Sequence, residues 1–341
     1  MNSTSQQRTA APGNTGNVSG TVQTKTPDDA ERLKLLQQKY PWVSLATSEY
    51  VELSAAERIA FIRSEHFVRH AQMARAIDAM NYVFTQPRRR RMECVFIGGQ
   101  SGVGKTMVAK RFLKENGIEV SDVDGLHVIT RAGRTKVVTV DLSGVSTEEG
   151  LYGRIAEACL EPGASALKYS PEGVLRMVAD LGAQTVLFDE ADRLTELPVD
   201  VQNEMIAQMK YLTNNAQIGI IALGAKKLKN FISSEDTLLR RFGPELLLTP
   251  LVTATQVREF VVNLCRRMPM RQLPRVDNMR FLTALVEAAG RRQTDVARMV
   301  KTTAIHAIVT TKSECLDLGS LRRAIENPYI HQAPPEDGDV D

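Results

Sequence analysis

The sequence predicts an α/β protein whose parallel sheet is covered on both faces, followed by a small all-helical domain. Three observations carry that expectation. An apolar run at 94–97 leads into Gly99-Gln100-Ser101-Gly102-Val103-Gly104-Lys105-Thr106, and a helical pattern follows until the stop pair Asn116-Gly117. A second β-prone run, Thr185-Val186-Leu187-Phe188, ends in Asp189-Glu190. Strand-like and helix-like segments alternate from 92 to 250, and only helical patterns follow from 251 to 330.

The first run fits G-x-x-x-x-G-K-[ST] and sits between a strand and a helix, the context that pattern requires. Glycines at 99, 102 and 104 let backbone N–H groups turn inward on phosphates, and the helix N-terminus adds its dipole. Gly99, Gln100, Ser101, Gly102, Val103, Gly104, Lys105, Thr106 and Met107 are therefore the expected nucleotide-binding residues. Lys105 would reach the β- and γ-phosphates and the Thr106 hydroxyl would hold Mg²⁺. Asp189 and Glu190 end a buried strand, where an open α/β sheet gathers its ligand chemistry. Asp189 suits Mg²⁺ through water, and Glu190 suits an attacking water as its orienting base. These residues describe an ATP or GTP site built for hydrolysis.

The chain of 341 residues has room for one large or two modest domains. A net charge of +3 makes any nucleic-acid contact a matter of local clusters. Four cysteines without metal-ligand spacing fit reduced thiols, and a polar N-terminus with no long apolar run gives the expectation of a cytoplasmic protein without membrane spans.

Organisation follows the composition. Residues 1–27 read as a disordered polar tail and 331–341 as a disordered acidic one. Residues 28–91 form a helical extension. Its first helix opens at the capping box Ser54-Ala55-Ala56-Glu57; its second shows Phe67, Ala71, Ala74, Ile77 and Phe84 on one face and ends before Pro87 and four arginines. Residues 92–250 form the core. A strand is expected over 136–141, a helix opened by the capping box Ser146-Thr147-Glu148-Glu149, a helix from Ser170-Pro171 to Gly182, a helix over 200–213 and a strand over 218–223. Residues 251–330 form the helical domain, with helices over 254–267, 277–289 and 293–311 and a break at Gly290.

A phosphate loop, an Asp-Glu strand end and a trailing helical lid resemble the AAA+ ATPases: a P-loop NTPase three-layer core with a small all-α lid. The run Pro87-Arg88-Arg89-Arg90-Arg91-Met92 leading into the first strand narrows the resemblance to the TniB/TnsC transposition ATPases, over about 40–310. The resemblance implies an ATP- and Mg²⁺-dependent homo-oligomer, a ring or filament on double-stranded DNA, bound without sequence preference. It would select target sites and recruit a transposase and target-selection proteins, with hydrolysis controlling disassembly. It implies an arginine finger within Leu239-Arg240-Arg241-Phe242-Gly243, at Arg240 or Arg241, and a lid arginine at Arg291 or Arg292. It also implies a polar sensor after the strand ending near Leu223, where this chain has Gly224-Ala225-Lys226 instead.

Three basic clusters could track DNA phosphates: Arg88 to Arg91, the turn carrying Arg131, Arg134 and Lys136, and Lys226-Lys227-Lys229. The second is favoured, with Thr147 at a helix N-terminus in support. Few aromatic residues interleave with these charges, so base stacking is not expected. The alternatives are a replication initiator or helicase loader on the same engine, and a slowly hydrolysing nucleotide-gated scaffold.

Overall fold

The computed structural model describes residues 27–120, 126, 128, 135–160, 170–311 and 314–329. Residues 1–26 and 331–341 of the expected tails and the candidate DNA residues Arg131 and Arg134 lie outside the described residues, while residue 27 already begins a helix.

Among the described residues, β1 (Val95–Gly99), β2 (Val137–Asp141), β3 (Thr185–Asp189), β4 (Gly219–Gly224) and β5 (Leu246–Leu248) form one sheet. The order is β2-β3-β4-β1-β5 and every pairing is parallel. The strands alternate their apolar side chains between two faces. Phe96, Val138, Val140, Val186, Phe188 and Ile220 enter one core, together with α6 (Glu148–Cys159), α7 (Pro171–Asp180) and α8 (Val199–Asn214). Val95, Ile97, Val137, Leu187, Ile221 and Leu223 enter the other, with α4 (Ala71–Thr85) and α5 (Lys105–Glu115). Period-two alternation on a sheet buried from both sides produces three layers.

Several local expectations hold. Ser54 caps α3 (Ala55–Arg63) in a full capping box with Glu57, and Ser170 caps α7 with Pro171 at its first turn. Others are corrected. Phe67 precedes α4 and packs against the core from an extended segment. Helix α6 is capped by Thr147, whose hydroxyl accepts from the Gly150 amide, so the box begun at Ser146 does not form. Strand β5, the short helices α9 (Leu228–Ser233) and α10 (Asp236–Phe242), and α14 (Leu318–Glu326) were not anticipated.

The lid is α11 (Ala254–Cys265), α12 (Met279–Ala289), α13 (Gln293–Thr310) and α14, around Val261, Leu264, Phe281, Leu285, Val300 and Ala304. Ile59 and Ile62 of α3 belong to that same cluster. Arg58 of α3 is fully buried and makes a two-pronged ion pair with Glu314 at 2.8 Å on each prong. A paired, hydrogen-bonded guanidinium is the form in which such a charge is tolerated inside a protein. Nearer the N-terminus, the segment joining α1 (Pro27–Lys39) to α2 (Leu45–Ser48) also meets the lid side: the Trp42 indole donates to Met270 O at 2.9 Å and the Ser44 amide to Arg266 O at 2.6 Å. The stretch 28–91 is therefore shared: α3 and the segment between α1 and α2 rest on the lid, and α4 on the sheet. Among the described residues no helix is long and apolar enough to cross a membrane.

Candidate functional site

The strand order fixes the site. β1 delivers the glycine loop and β3 delivers Asp189, with β4 lying between them. All three end at the same edge, because the sheet is parallel. Loop residues Gly102 and Gly104 have φ of 81° and 95°, a conformation that favours glycine and turns successive amides toward one point. Helix α5 starts immediately at Lys105, so its free N–H groups and positive dipole end face the same concavity. The Lys105 ammonium folds back over the loop, donating to Gly99 O at 2.9 Å and Gln100 O at 3.2 Å. Met107 lies in the first turn of α5.

Thr106 donates its hydroxyl to Asp189 Oδ2 at 3.3 Å. The Glu190 amide donates to Asp189 Oδ1 at 2.9 Å. Burial pushes the Asp189 carboxyl above its ordinary value, opposed by that amide and reinforced by the nearby Glu190 charge. Glu190 itself takes the left-handed backbone conformation, φ 52° and ψ 31°, and its side chain is half exposed beside Arg193 at 3.9 Å. A glutamate held in that region is strained, as residues at functional sites often are.

The sensor position has a steric explanation. A Cβ on Gly224 would stand 2.9 Å from the Asp192 amide nitrogen and 3.0 Å from Asp192 Oδ1. The 3-10 turn Ala191–Glu196 brings Asp192 across the end of β4, where it accepts from the Ala225 amide at 2.9 Å. No side chain fits at 224 while Asp192 stands there.

The two arginine pairs separate. Arg241 is buried: it donates to Thr237 O at 3.3 Å, to Lys210 O at 3.4 Å and to the Thr213 hydroxyl. Those bonds bolt α10 to α8, and Arg241 is unavailable to any other molecule. Arg240, one residue earlier in the last turn of α10, is exposed and makes no hydrogen bond or ion pair among the described residues. Likewise Arg291 is spent on Leu251 O and Val252 O, at 3.1 and 2.7 Å, at the joint between core and lid. Arg292 is half exposed, pairs with Asp295 at 2.7 Å, and lies 3.5 Å from where a Gly102 side chain would begin.

Two lid residues that sequence reasoning missed touch the site. The amide and hydroxyl of Thr294 both donate to Gly102 O, at 3.0 and 2.9 Å. Gln293 Nε2 donates to Thr249 O at 2.8 Å. Nothing local in the sequence signals a contact across so long a stretch of chain, although both residues adjoin the arginine pair.

Of the DNA candidates, Lys136 is exposed at the amino end of β2, with its ammonium 5.9 Å from the Phe84 ring centroid. Thr147 follows the opposite end of that strand, as the cap of α6. In the third cluster, Lys227 is paired with Glu196 at 2.5 Å and Asp192 at 3.4 Å, and Lys229 with Glu245 at 2.9 Å.

A family model described as the bacterial TniB protein matches residues 58–249, more than half of the chain. The chain belongs to the TniB family. The matched stretch runs from α3 through the last residues of the sheet, so it contains the glycine loop, Asp189-Glu190 and Arg240. Among solved structures, the Walker-type ATPase PABY2304 of Pyrococcus abyssi is similar at a TM-score of 0.51 and 17% identity, covering 77% of this chain and 72% of that one. That likeness establishes the fold, a parallel five-stranded α/β core of the P-loop kind with a helical C-terminal region. The Aeropyrum pernix ORC2 protein, solved in ADPNP–ADP complexes, scores 0.49 at 15% identity, covering 78% and 70%. The Aeropyrum pernix ORC1 protein, solved in complex with DNA, scores 0.45 at 17% identity, covering 78% and 68%. No curated protein matches the chain.

Proposed function

We propose that this TniB-family chain is an ATP-hydrolysing switch that assembles on duplex DNA and there marks a target for a transposase. The observation that supports it best is the convergence of Lys105, Thr106, Asp189 and Glu190 at one edge of a parallel sheet, under a glycine loop shaped as an anion cradle. In this reading the amides of the loop and of the first turn of α5 hold the phosphates. Lys105 exchanges its carbonyl partners for phosphate oxygens. Glu190 orients the attacking water and takes its proton.

Mg²⁺ fits the donor set. The Thr106 hydroxyl and Asp189 carboxylate are hard oxygens already within hydrogen-bond reach of each other. Among the described residues no group of three or more His, Cys, Asp or Glu could hold a metal unaided. That suits an ion whose remaining ligands are phosphate oxygens and water. When bound there, it would neutralise charge on the transferring phosphoryl group.

Hydrolysis in this account depends on assembly. Gly224 offers no polar side chain beside the water, which makes the isolated subunit slow. Arg240 is exposed, without an ion pair among the described residues, and carried on a helix end, and it would complete the site of a neighbouring subunit. Arg292 would close from the lid on the same nucleotide.

Duplex DNA is assigned to the amino-end face of the sheet. Exposed Arg90, Arg91, Lys136 and Arg176 lie there without an ion pair among the described residues, and Arg88 reaches Ala183 O at 3.1 Å just before β3. Arg131 and Arg134 immediately precede Lys136 in the chain. The paired lysines 227 and 229 are set aside.

Electron microscopy of the protein with duplex DNA and a slowly hydrolysed ATP analogue tests the proposal. Rings or filaments should require both ligands and be absent for Lys105→Ala. Single particles indifferent to DNA would contradict it.

A further inference from the structure

We infer that Thr294 of the lid is a positioning residue for phosphate binding: by holding Gly102 O it aims the Val103 amide at the phosphates of the nucleotide. The inference rests on the nucleotide site proposed above.

Helix α13 begins without a cap of its own. Arg292 stands at its N-cap position, and its side chain makes no capping hydrogen bond. The first amides of a helix lack an intrahelical acceptor, and a side-chain oxygen usually takes one of them. Here the acceptor comes from the glycine loop. The amide of Thr294, the second residue of α13, donates to Gly102 O at 3.0 Å, and the Thr294 hydroxyl donates to the same oxygen at 2.9 Å. A carbonyl oxygen has two lone pairs, so these two donors occupy it fully. The approach is close: a Cβ on Gly102 would stand 3.6 Å from Thr294 Oγ1 and 3.7 Å from Arg292 Cβ.

That carbonyl belongs to the peptide between Gly102 and Val103. The chain itself restrains the plane of this peptide weakly, because Gly102, at φ 81°, has no Cβ to limit its rotation. In a trans peptide the carbonyl and the following amide point in opposite directions, and the described residues hold no cis peptide. Gly102 O, fixed toward α13, therefore turns the Val103 N–H away from the lid. Val103 is fully buried, yet its amide has no hydrogen-bond partner among the described residues. Buried amides are almost always paired, so a free one in an anion cradle calls for an acceptor from outside the chain. A phosphate oxygen is that acceptor.

The two bonds also polarise the peptide. The donors at Gly102 O include the amino end of an 18-residue helix, where the dipole is positive. Hydrogen bonds in series strengthen one another, so drawing charge onto the oxygen makes the Val103 N–H a stronger donor. Thr294 thus acts through the loop and not by touching the phosphates.

Two substitutions separate this role from packing. Thr294→Val keeps the branched shape and loses the hydroxyl, whereas Thr294→Ser keeps the hydroxyl and loses the methyl. The full-length protein should be titrated calorimetrically with ADP and Mg²⁺. Binding should weaken about three- to tenfold in Thr294→Val and stay within about twofold of wild type in Thr294→Ser. In protein labelled with ¹⁵N-valine, the Val103 amide proton, assigned from Val103→Ala, should move downfield when ADP and Mg²⁺ bind. That shift should be smaller in Thr294→Val and full in Thr294→Ser, while the other valine amides report an intact fold. Wild-type affinity in Thr294→Val, or equal weakening in Thr294→Ser, would overturn the inference. So would a Val103 amide that ignores ADP, or one that responds alike with and without the hydroxyl. Those results would leave the nucleotide site standing, whereas failure of the wild type to bind ADP would overturn the proposed function as well.

Discussion

Arg240 and Arg241 are adjacent in the chain and opposite in environment. Arg241 holds two backbone carbonyls and the Thr213 hydroxyl inside the α8–α10 contact, so Arg241→Ala should cost about 2–4 kcal/mol of stability, measured by denaturant unfolding. Arg240→Ala removes an exposed side chain and should leave unfolding within about 0.5 kcal/mol of wild type. In the assembled state it should lower duplex-stimulated turnover by about 10³-fold, the scale of an arginine finger. The sequence marked the pair but left its members unresolved. A signal was present: Leu238, Arg241 and Phe242 fall on one helical face and all three are buried. Asp189 carries a different consequence. Burial is the main cause of its raised carboxyl pKa, so its ionised form opposes folding at neutral pH. That opposition fades as pH falls through the raised folded-state value. Asp189→Asn should therefore raise the melting temperature of the nucleotide-free protein by a few degrees at pH 7.5. The gain should shrink toward pH 4, while ATP turnover is lost.

At the scale of elements, the glycine loop and the Asp-Glu strand end were legible because each packs its chemistry into consecutive residues with a strand directly before them. Helix caps were legible for the same reason, at Ser54 and Ser170. Elements set by contact rather than pattern were not. β5 is three residues long, its order in the sheet depends on β1, and no periodicity develops over that length. The sensor strand shows the limit most clearly. The sequence revealed a missing polar residue after Leu223, but only the approach of Asp192 explains why glycine stands there. Gly224→Ala should force Asp192 or its turn to shift and cost about 1–3 kcal/mol in thermal or chemical unfolding. Full stability in that variant would mean that the turn yields freely and that the absent sensor has no steric cause.

Across the whole molecule, the sequence divided the chain at 91 and 250, and the packing joins what those divisions separate. Arg58 pairs with Glu314 across most of the chain, and α3 shares the lid core, so the lid and α3 form one packed unit beside the α/β layers. No local pattern announces a partner so distant in sequence. That unit meets the core through Thr294 on Gly102 and Gln293 on Thr249, which ties lid position to the phosphate loop. The catalytic edge of the sheet and the exposed arginines of its amino-end face lie at opposite ends, so DNA and nucleotide occupy separate surfaces of one subunit in this account.

The central claim is that a subunit completes the ATP site of its neighbour on DNA. It is tested most directly by mixing two inactive variants and measuring ATP turnover with duplex present. Arg240→Ala retains Glu190 but lacks the finger, and Glu190→Gln retains the finger but lacks the base. Each alone should turn over ATP at least about a hundredfold more slowly than wild type. Their equimolar mixture should recover a substantial fraction of wild-type activity, because half of the mixed contacts pair an intact Glu190 with an intact Arg240. A mixture no more active than its components would contradict the shared site.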